Sequence, residues 1–396
     1  MSRPFFHHLI AAAILVSAVP AAADSPATLK DAYQPHFKIG TAINRGVATG
    51  KGWRRSDDLV KADIALVVAQ FNHVVAENEM KWGSLHPRPG KDGYDWTAAD
   101  AFVAFGTRHN MELAGHTLVW HSQTPNWVFE GTAQPPATGA VPPPRGGPGG
   151  FRPFDLNGPR ATREELLDRM REHIHTVMGR YKGKIKVWDV VNEALSDGGP
   201  DVLRQSPWSV IIGPDFLEKA FQFAHEADPG AILRYNDYGL EDARKRQKLL
   251  TLIRGLLEKK VPVMAIGSQA HVNVGISFEV MDQALAEMKT LGLPIHITEL
   301  DVNGAAGGQR SLSADIGDNA AATEGGLVAE ADAKLTTAYT GIFKAFLKHK
   351  DAVKLVTFWG PNDANSWRSR ARPLLFDADG KPKPAFHAVL KLATPP

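Results

Sequence analysis

Glu193 closes the run Val187-Trp-Asp-Val-Val-Asn-Glu193, and Glu299 closes Ile295-His-Ile-Thr-Glu299. Side chains alternate along a strand, so Glu193 is expected to share a face with Val191, and Glu299 to end its own run in the same way. Two opposed glutamates can divide the cleavage of a glycosidic bond. One protonates the departing oxygen, and the other attacks the anomeric carbon or activates water there. A lone glutamate at a strand end would as readily form a surface ion pair. Here Asn192, Gln269 and His271 flank the two, a polar set that an ion pair does not need. Trp82, Trp120, Trp127, Trp359 and Trp367 fall at or soon after strand-like runs. Flat rings suit the C–H faces of sugars, while amides, lysines and histidines suit the hydroxyls. One or two of these rings are expected to be packing only, as is Trp188 within its strand.

The elements that must position these residues recur along the chain. Strand-like runs occupy 37–44, 71–77, 111–116, 186–193, 231–236, 263–269, 295–299 and 353–359, with helix-like segments between most of them. Leu166, Leu167, Met170, Ile174, Val177 and Met178 keep helical spacing on one face, and Thr162 with Glu165 forms a capping box at its start. Leu249, Leu250, Ile253, Leu256 and Leu257 show the same spacing, as do Leu335, Tyr339, Ile342, Phe343, Phe346 and Leu347. Strands alternating with helices predict an α/β fold with a parallel sheet, and eight repeats predict a single (β/α)8 TIM barrel. A doubly wound open sheet would carry a glycine fingerprint after its first strand, which Gly40-Thr-Ala-Ile-Asn44 is not. In a barrel the strand ends form the active site, and here they are Asn44, Glu77, His116, Glu193, Asn236, Gln269, Glu299 and Trp359. Glu193 and Glu299 then sit on strands four and seven, facing each other over a groove. The Pro/Gly-rich stretch 131–160 and the Gly/Ala/Ser/Asp-rich stretch 303–327 follow strand ends. Both are expected to be long βα-loop insertions at the catalytic face rather than linkers.

Composition narrows the function classes. The 396 residues include 45 Lys and Arg against 43 Asp and Glu, a net charge of +2. That balance provides no basic field for nucleic acid or a membrane surface. Residues 1–23 are expected to be a signal peptide: Arg3 starts it, an apolar stretch from Leu9 to Val19 follows, and Ala21-Ala22-Ala23 precedes cleavage before Asp24. Residues 24–396 would be the exported catalytic domain, secreted or periplasmic. The chain has no cysteine, which excludes disulfides, thiol catalysis and cysteine-held metal. A metal-dependent hydrolase is the rival class, yet His116 and His121 are five apart, and His173-Ile-His175 lies within a helix where residues two apart diverge. No cofactor and no metal are expected. A non-catalytic carbohydrate-binding barrel would need one of the two glutamates replaced.

Set in order, the motifs resemble those of glycoside hydrolase family 10, endo-β-1,4-xylanases built on a (β/α)8 barrel. They are Gly40-Thr-Ala-Ile-Asn44, Glu77-Asn-Glu-Met-Lys-Trp82, Gly115-His-Thr-Leu-Val-Trp-His-Ser-Gln-Thr-Pro125, Trp188-Asp-Val-Val-Asn-Glu193, Asn236-Asp-Tyr238, Gly267-Ser-Gln-Ala-His271, Thr298-Glu-Leu-Asp301, and Phe358-Trp-Gly360 with Trp367. The resemblance implies Glu193 as acid/base and Glu299 as nucleophile of a retaining reaction. It also implies Asn192 on the sugar 2-hydroxyl, and His271 contacting Glu299 with Asp301 orienting it. Substrate binding would fall to Asn44, Glu77, Asn78, Lys81, Trp82, His116, Trp120, His121, Gln123, Asn236, Tyr238, Gln269, Trp359 and Trp367. The implied partners are xylan and xylo-oligosaccharides, bound by a monomer. A β-1,4-glucanase is the neighbouring specificity, decided by room for a hydroxymethyl group near Trp359 and Trp367.

Overall fold

The computed structural model describes residues 28–52, 55–134, 154–304 and 326–393. Residues 1–23 and most of the two expected loop insertions lie outside these. Eight parallel strands close on themselves: β1 (Lys38–Ile43), β2 (His73–Ala76), β3 (Glu112–Gly115), β5 (Val187–Asn192), β6 (Ile232–Asp237), β7 (Ala265–Ser268), β9 (Ile295–Asn303) and β10 (Val353–Phe358). Two short pieces, β4 (Val119–Trp120) on β5 and β8 (His271–Asn273) on β9, lie at the catalytic end. The (β/α)8 barrel is therefore closed, with helices between its strands. Apolar residues dominate strands that are covered on both faces, as in Val187, Val190 and Val191 or Ile295 and Ile297, all buried.

The helices form where the spacing predicts. Helix Arg163–Arg180 starts at Thr162, whose hydroxyl accepts from Glu165 N while Glu165 returns the bond to Thr162 N. Its Leu166, Met170, Ile174, Val177 and Met178 are buried. Helices Ala243–Glu258 and Gly326–Lys348 likewise bury Leu249, Leu250, Ile253 and Leu256, and Leu335, Tyr339, Ile342, Phe343 and Phe346.

Register delivers the strand ends to one level. Asn192 pairs with Asn236, Asn236 with Gly267, Trp120 with Asn192, and His271 with Asp301. Below that level a buried charged pair lies beside a small apolar cluster of Ala42, Val75, Ala114 and Val187. Asp189 and Arg234, both buried, are joined by bonds of 2.6 and 3.0 Å, and Arg234 reaches His296 Nδ1 at 3.1 Å. Burial opposes ionisation of Asp189, but Arg234 and His116 hold its carboxyl well below the ordinary range.

Candidate active site

Glu193 lies one residue past β5, at φ 57°, in left-handed backbone that favours glycine. Its direction is set by that turn and not by alternation with Val191. The turn is held from β6: Glu193 N donates to Asn236 O at 2.9 Å, Ala194 N to Tyr235 Oη at 3.1 Å, and Leu195 N to Asp237 Oδ2 at 3.1 Å. Glu299 lies within β9, where the pairing with β10 is irregular. Both glutamates are largely buried, about 4 and 5 % exposed, so their protonation answers to specific neighbours.

Three amides link the two carboxylates. Gln269 Nε2 donates to Glu193 Oε1 at 3.0 Å and to Asn192 Oδ1 at 3.3 Å. Asn236 Nδ2 donates to Asn192 Oδ1 at 3.0 Å and to Glu299 Oε1 at 2.8 Å. Thr298 Oγ1 fixes the Asn236 amide by donating to its Oδ1 at 2.7 Å. The remaining oxygens face different partners. Trp120 Nε1 donates to Glu193 Oε2 at 2.8 Å, whereas Glu299 Oε2 lies 3.2 Å from His271 Nε2. His271 Nδ1 is in turn 2.9 Å from Asp301 Oδ2.

These surroundings separate the two acids. Burial raises the Glu193 carboxyl above the ordinary glutamate range, a rise that Arg204, Gln269 and Trp120 only partly offset. Burial also acts against ionised Glu299, but the bond to His271 and the charges of His116 and His271 bring it below that range. Burial disfavours a charged His271, yet Asp301 and Glu299 push its pKa up to about 9. The surroundings thus push the two carboxyls in opposite directions, Glu193 toward its protonated form and Glu299 toward its ionised one, the kind of division on which acid–base cleavage draws.

Around this centre, His116 Nδ1 is tied to Asp189 at 3.0 Å and its ring meets Trp359 edge-on at 5.5 Å. Lys81 Nζ donates to Asn78 Oδ1 at 2.8 Å and stands 5.1 Å from the centre of the Trp120 ring. Trp359 and Trp367 approach His271 at 6.3 and 5.1 Å. Glu77 and Gln123 are half-buried, Gln123 on left-handed backbone.

Some expected contacts are already spent. Trp82 is only 2 % exposed and stacks on His173 at 3.6 Å, so it is packing beneath the groove and offers no face to a ligand. Trp188 is core, as predicted. Asn44 caps the helix Arg45–Thr49 through Val47 N and bonds Asn365. The Tyr238 hydroxyl donates to Asp197 at 2.6 Å and accepts from Arg204, whose other arm reaches His121 Nε2. Lys245 Nζ lies 2.8 Å from Asp197 and 3.0 Å from Asp237, and Arg204, Asp197, Tyr235 and Lys245 carry no sequence signal because they hold other residues. Asp237 alone carried a signal, within Asn236-Asp-Tyr238. Among the described residues no three His, Asp or Glu side chains gather as a metal site.

The chain resembles known proteins along most of its length. The model of Glycosyl hydrolase family 10 matches residues 28–392. "Endo-1,4-beta-xylanase A" of a Caldicellulosiruptor species is 38 % identical over 366 residues, 92 % of this chain and 47 % of that protein. The chain therefore spans about half the length of that relative. "Endo-1,4-beta-xylanase A" of Xylanibacter ruminicola is 36 % identical over 393 residues, 96 % of this chain and 97 % of that one. The solved structure of a GH10 endoxylanase from a sugarcane soil metagenome superimposes with a TM-score of 0.76 at 36 % identity, covering 93 % of this chain and 99 % of the other.

Proposed function

Because the chain belongs to glycosyl hydrolase family 10, we propose that it is an endo-β-1,4-xylanase that hydrolyses internal bonds of xylan with retention. The observation that supports this reading is the single amide network that joins Glu193 to Glu299, in surroundings that raise the first carboxyl and lower the second. Glu193 donates its proton to the glycosidic oxygen as Glu299 attacks the anomeric carbon, so the reducing-side fragment leaves and a glycosyl ester forms on Glu299. Water then enters, gives its proton to Glu193 and attacks the same carbon. The Glu299 carboxylate departs and both residues return to their starting states. Asn192, positioned between the two by Asn236 and Gln269, receives the sugar 2-hydroxyl.

In this reading Glu77, Asn78, Lys81, His116, Trp120, Gln123, Trp359 and Trp367 grip the non-reducing side of the cut, and Asn236, Tyr238 and Gln269 fit near or beyond the cleavage point. Xylan is too large to cross a membrane, so export by residues 1–23 belongs to the same proposal. Proton NMR of early products tests it: β-anomeric ends should appear before mutarotation, and α-ends would overturn retention. Soluble cellulose assayed beside xylan tests the substrate, and faster cellulose turnover would replace the xylanase reading with a glucanase.

A further inference from the structure

Asp301 is fully buried, and three donors converge on it. Trp367 Nε1 donates to its Oδ2 at 2.7 Å, His271 Nδ1 stands 2.9 Å from the same oxygen, and Arg368 Nη1 donates to Oδ1 at 2.9 Å. Arg368 comes from the loop after β10, where Tyr339 Oη also donates to Pro373 O at 2.7 Å. Its guanidinium lies 4.6 Å from the centre of the Trp367 ring, and its side chain is 11 % exposed. An unbroken path therefore runs Arg368–Asp301–His271–Glu299, each step a hydrogen bond.

We infer that Arg368 is a positioning residue for the nucleophile: it anchors the Asp301 carboxylate and offsets its charge, so that the proton on His271 stays directed at Glu299. A buried carboxylate with one uncompensated oxygen would draw the imidazolium toward itself and loosen its bond to Glu299. The loss of a nearby cation would also make ionised Glu299 less favourable. The charged groups around this path point the same way. Asp301 faces Arg368 and His271, with the neutral phenol of Tyr339 behind it. Glu299 faces His271 and His116, with Asp189 beneath and Lys81 across the groove, and Glu241 lies within reach of His271. No other arginine touches the Asp301 side of the site among the described residues.

The inference rests on Glu299 being the nucleophile. An aryl xylobioside, whose leaving group needs no proton, isolates that step. Arg368→Gln is expected to lower kcat/KM roughly tenfold to a hundredfold and to move the acid limb of its pH profile upward by about half a unit or more. Arg368→Lys should keep the limb near its wild-type position. Should the glutamine variant not fold, Arg368→Met, which keeps the stem over Trp367, carries the same expected shift. An unmoved acid limb would overturn the inference. So would a loss confined to KM on long oligosaccharides, which would make Arg368 a direct sugar contact. Glu299→Gln assayed in parallel separates the two levels. Turnover retained there overturns the nucleophile assignment, whereas a dead Glu299→Gln beside an unmoved limb in Arg368→Gln overturns only the role of Arg368.

Discussion

Two glutamates of identical chemistry meet opposite surroundings. Glu193 meets neutral donors, Trp120 and Gln269, and burial decides its bias. Glu299 meets a histidine that Asp301 keeps cationic. If Glu193 supplies a proton, the damage from removing it depends on how badly the leaving group needs one. Glu193→Ala should therefore slow xylan hydrolysis by about a hundredfold or more while leaving the first step on an activated aryl glycoside near wild type. Pre-steady-state release of the aryl alcohol measures this, and equal losses on both substrates would reject the assignment. Residue type and spacing were enough to single out this pair. They could not show that Trp82 faces His173 while Trp120 faces Glu193, since a ring just past a strand can turn either way.

At the level of elements, the site depends on strands placed close enough for amides to touch. β7 passes β6 at Gly267, where a Cβ would come within 2.3 Å of Asn236 Oδ1 and 3.1 Å of Thr298 Cγ2. Glycine there is a condition for the Asn236 bridge between Asn192 and Glu299. Gly267→Ala should displace that amide and lower kcat on xylan roughly tenfold to a hundredfold, with a smaller change in thermal stability. Unchanged kcat would mean that the Asn236 bridge is dispensable. The turn that presents Glu193 depends in the same way on β6, through Tyr235 and Asp237. Neither dependence is written in strand periodicity, which reports which face is apolar but not how closely two backbones approach.

The barrel buries several titratable groups, and its stability should follow pH accordingly. Burial holds His73, His121 and His173 well below the ordinary imidazole range, and burial with the Arg234 charge lowers His296 to about 3. The unfolded chain binds protons at these sites first, so each contributes stability that is present above about pH 6.5 and lost as pH falls. The slope is at most about 1.4 kcal/mol per pH unit for each histidine. The lowered Asp189, Glu299 and Asp301 add to the loss at lower pH. His271, raised to about 9, acts oppositely: its stabilisation is complete below about pH 6.5 and fades as pH rises through 9. Denaturant unfolding should thus show stability falling steeply from pH 7 to 5, and a flat profile there would refute the buried neutral histidines. Arg234→Met leaves buried Asp189 with only His116 as a side-chain partner and should cost about 3–5 kcal/mol, read as a fall in the denaturation midpoint; a loss below about 1 kcal/mol would mean that His116 or water already compensates the carboxylate. The amino-acid sequence by itself determined the eightfold strand–helix alternation, the two glutamates and their level in the barrel, because these follow from local periodicity and from motif order. Only the tertiary structure decided that burial raises one carboxyl while a histidine lowers the other, that Trp82 packs on His173 while Trp120 bonds Glu193, and that Arg234 and Arg368 pair with the buried Asp189 and Asp301. Those outcomes depend on burial and on contacts between residues far apart in the chain, and a side chain's electrostatic surroundings exist only once the barrel has closed.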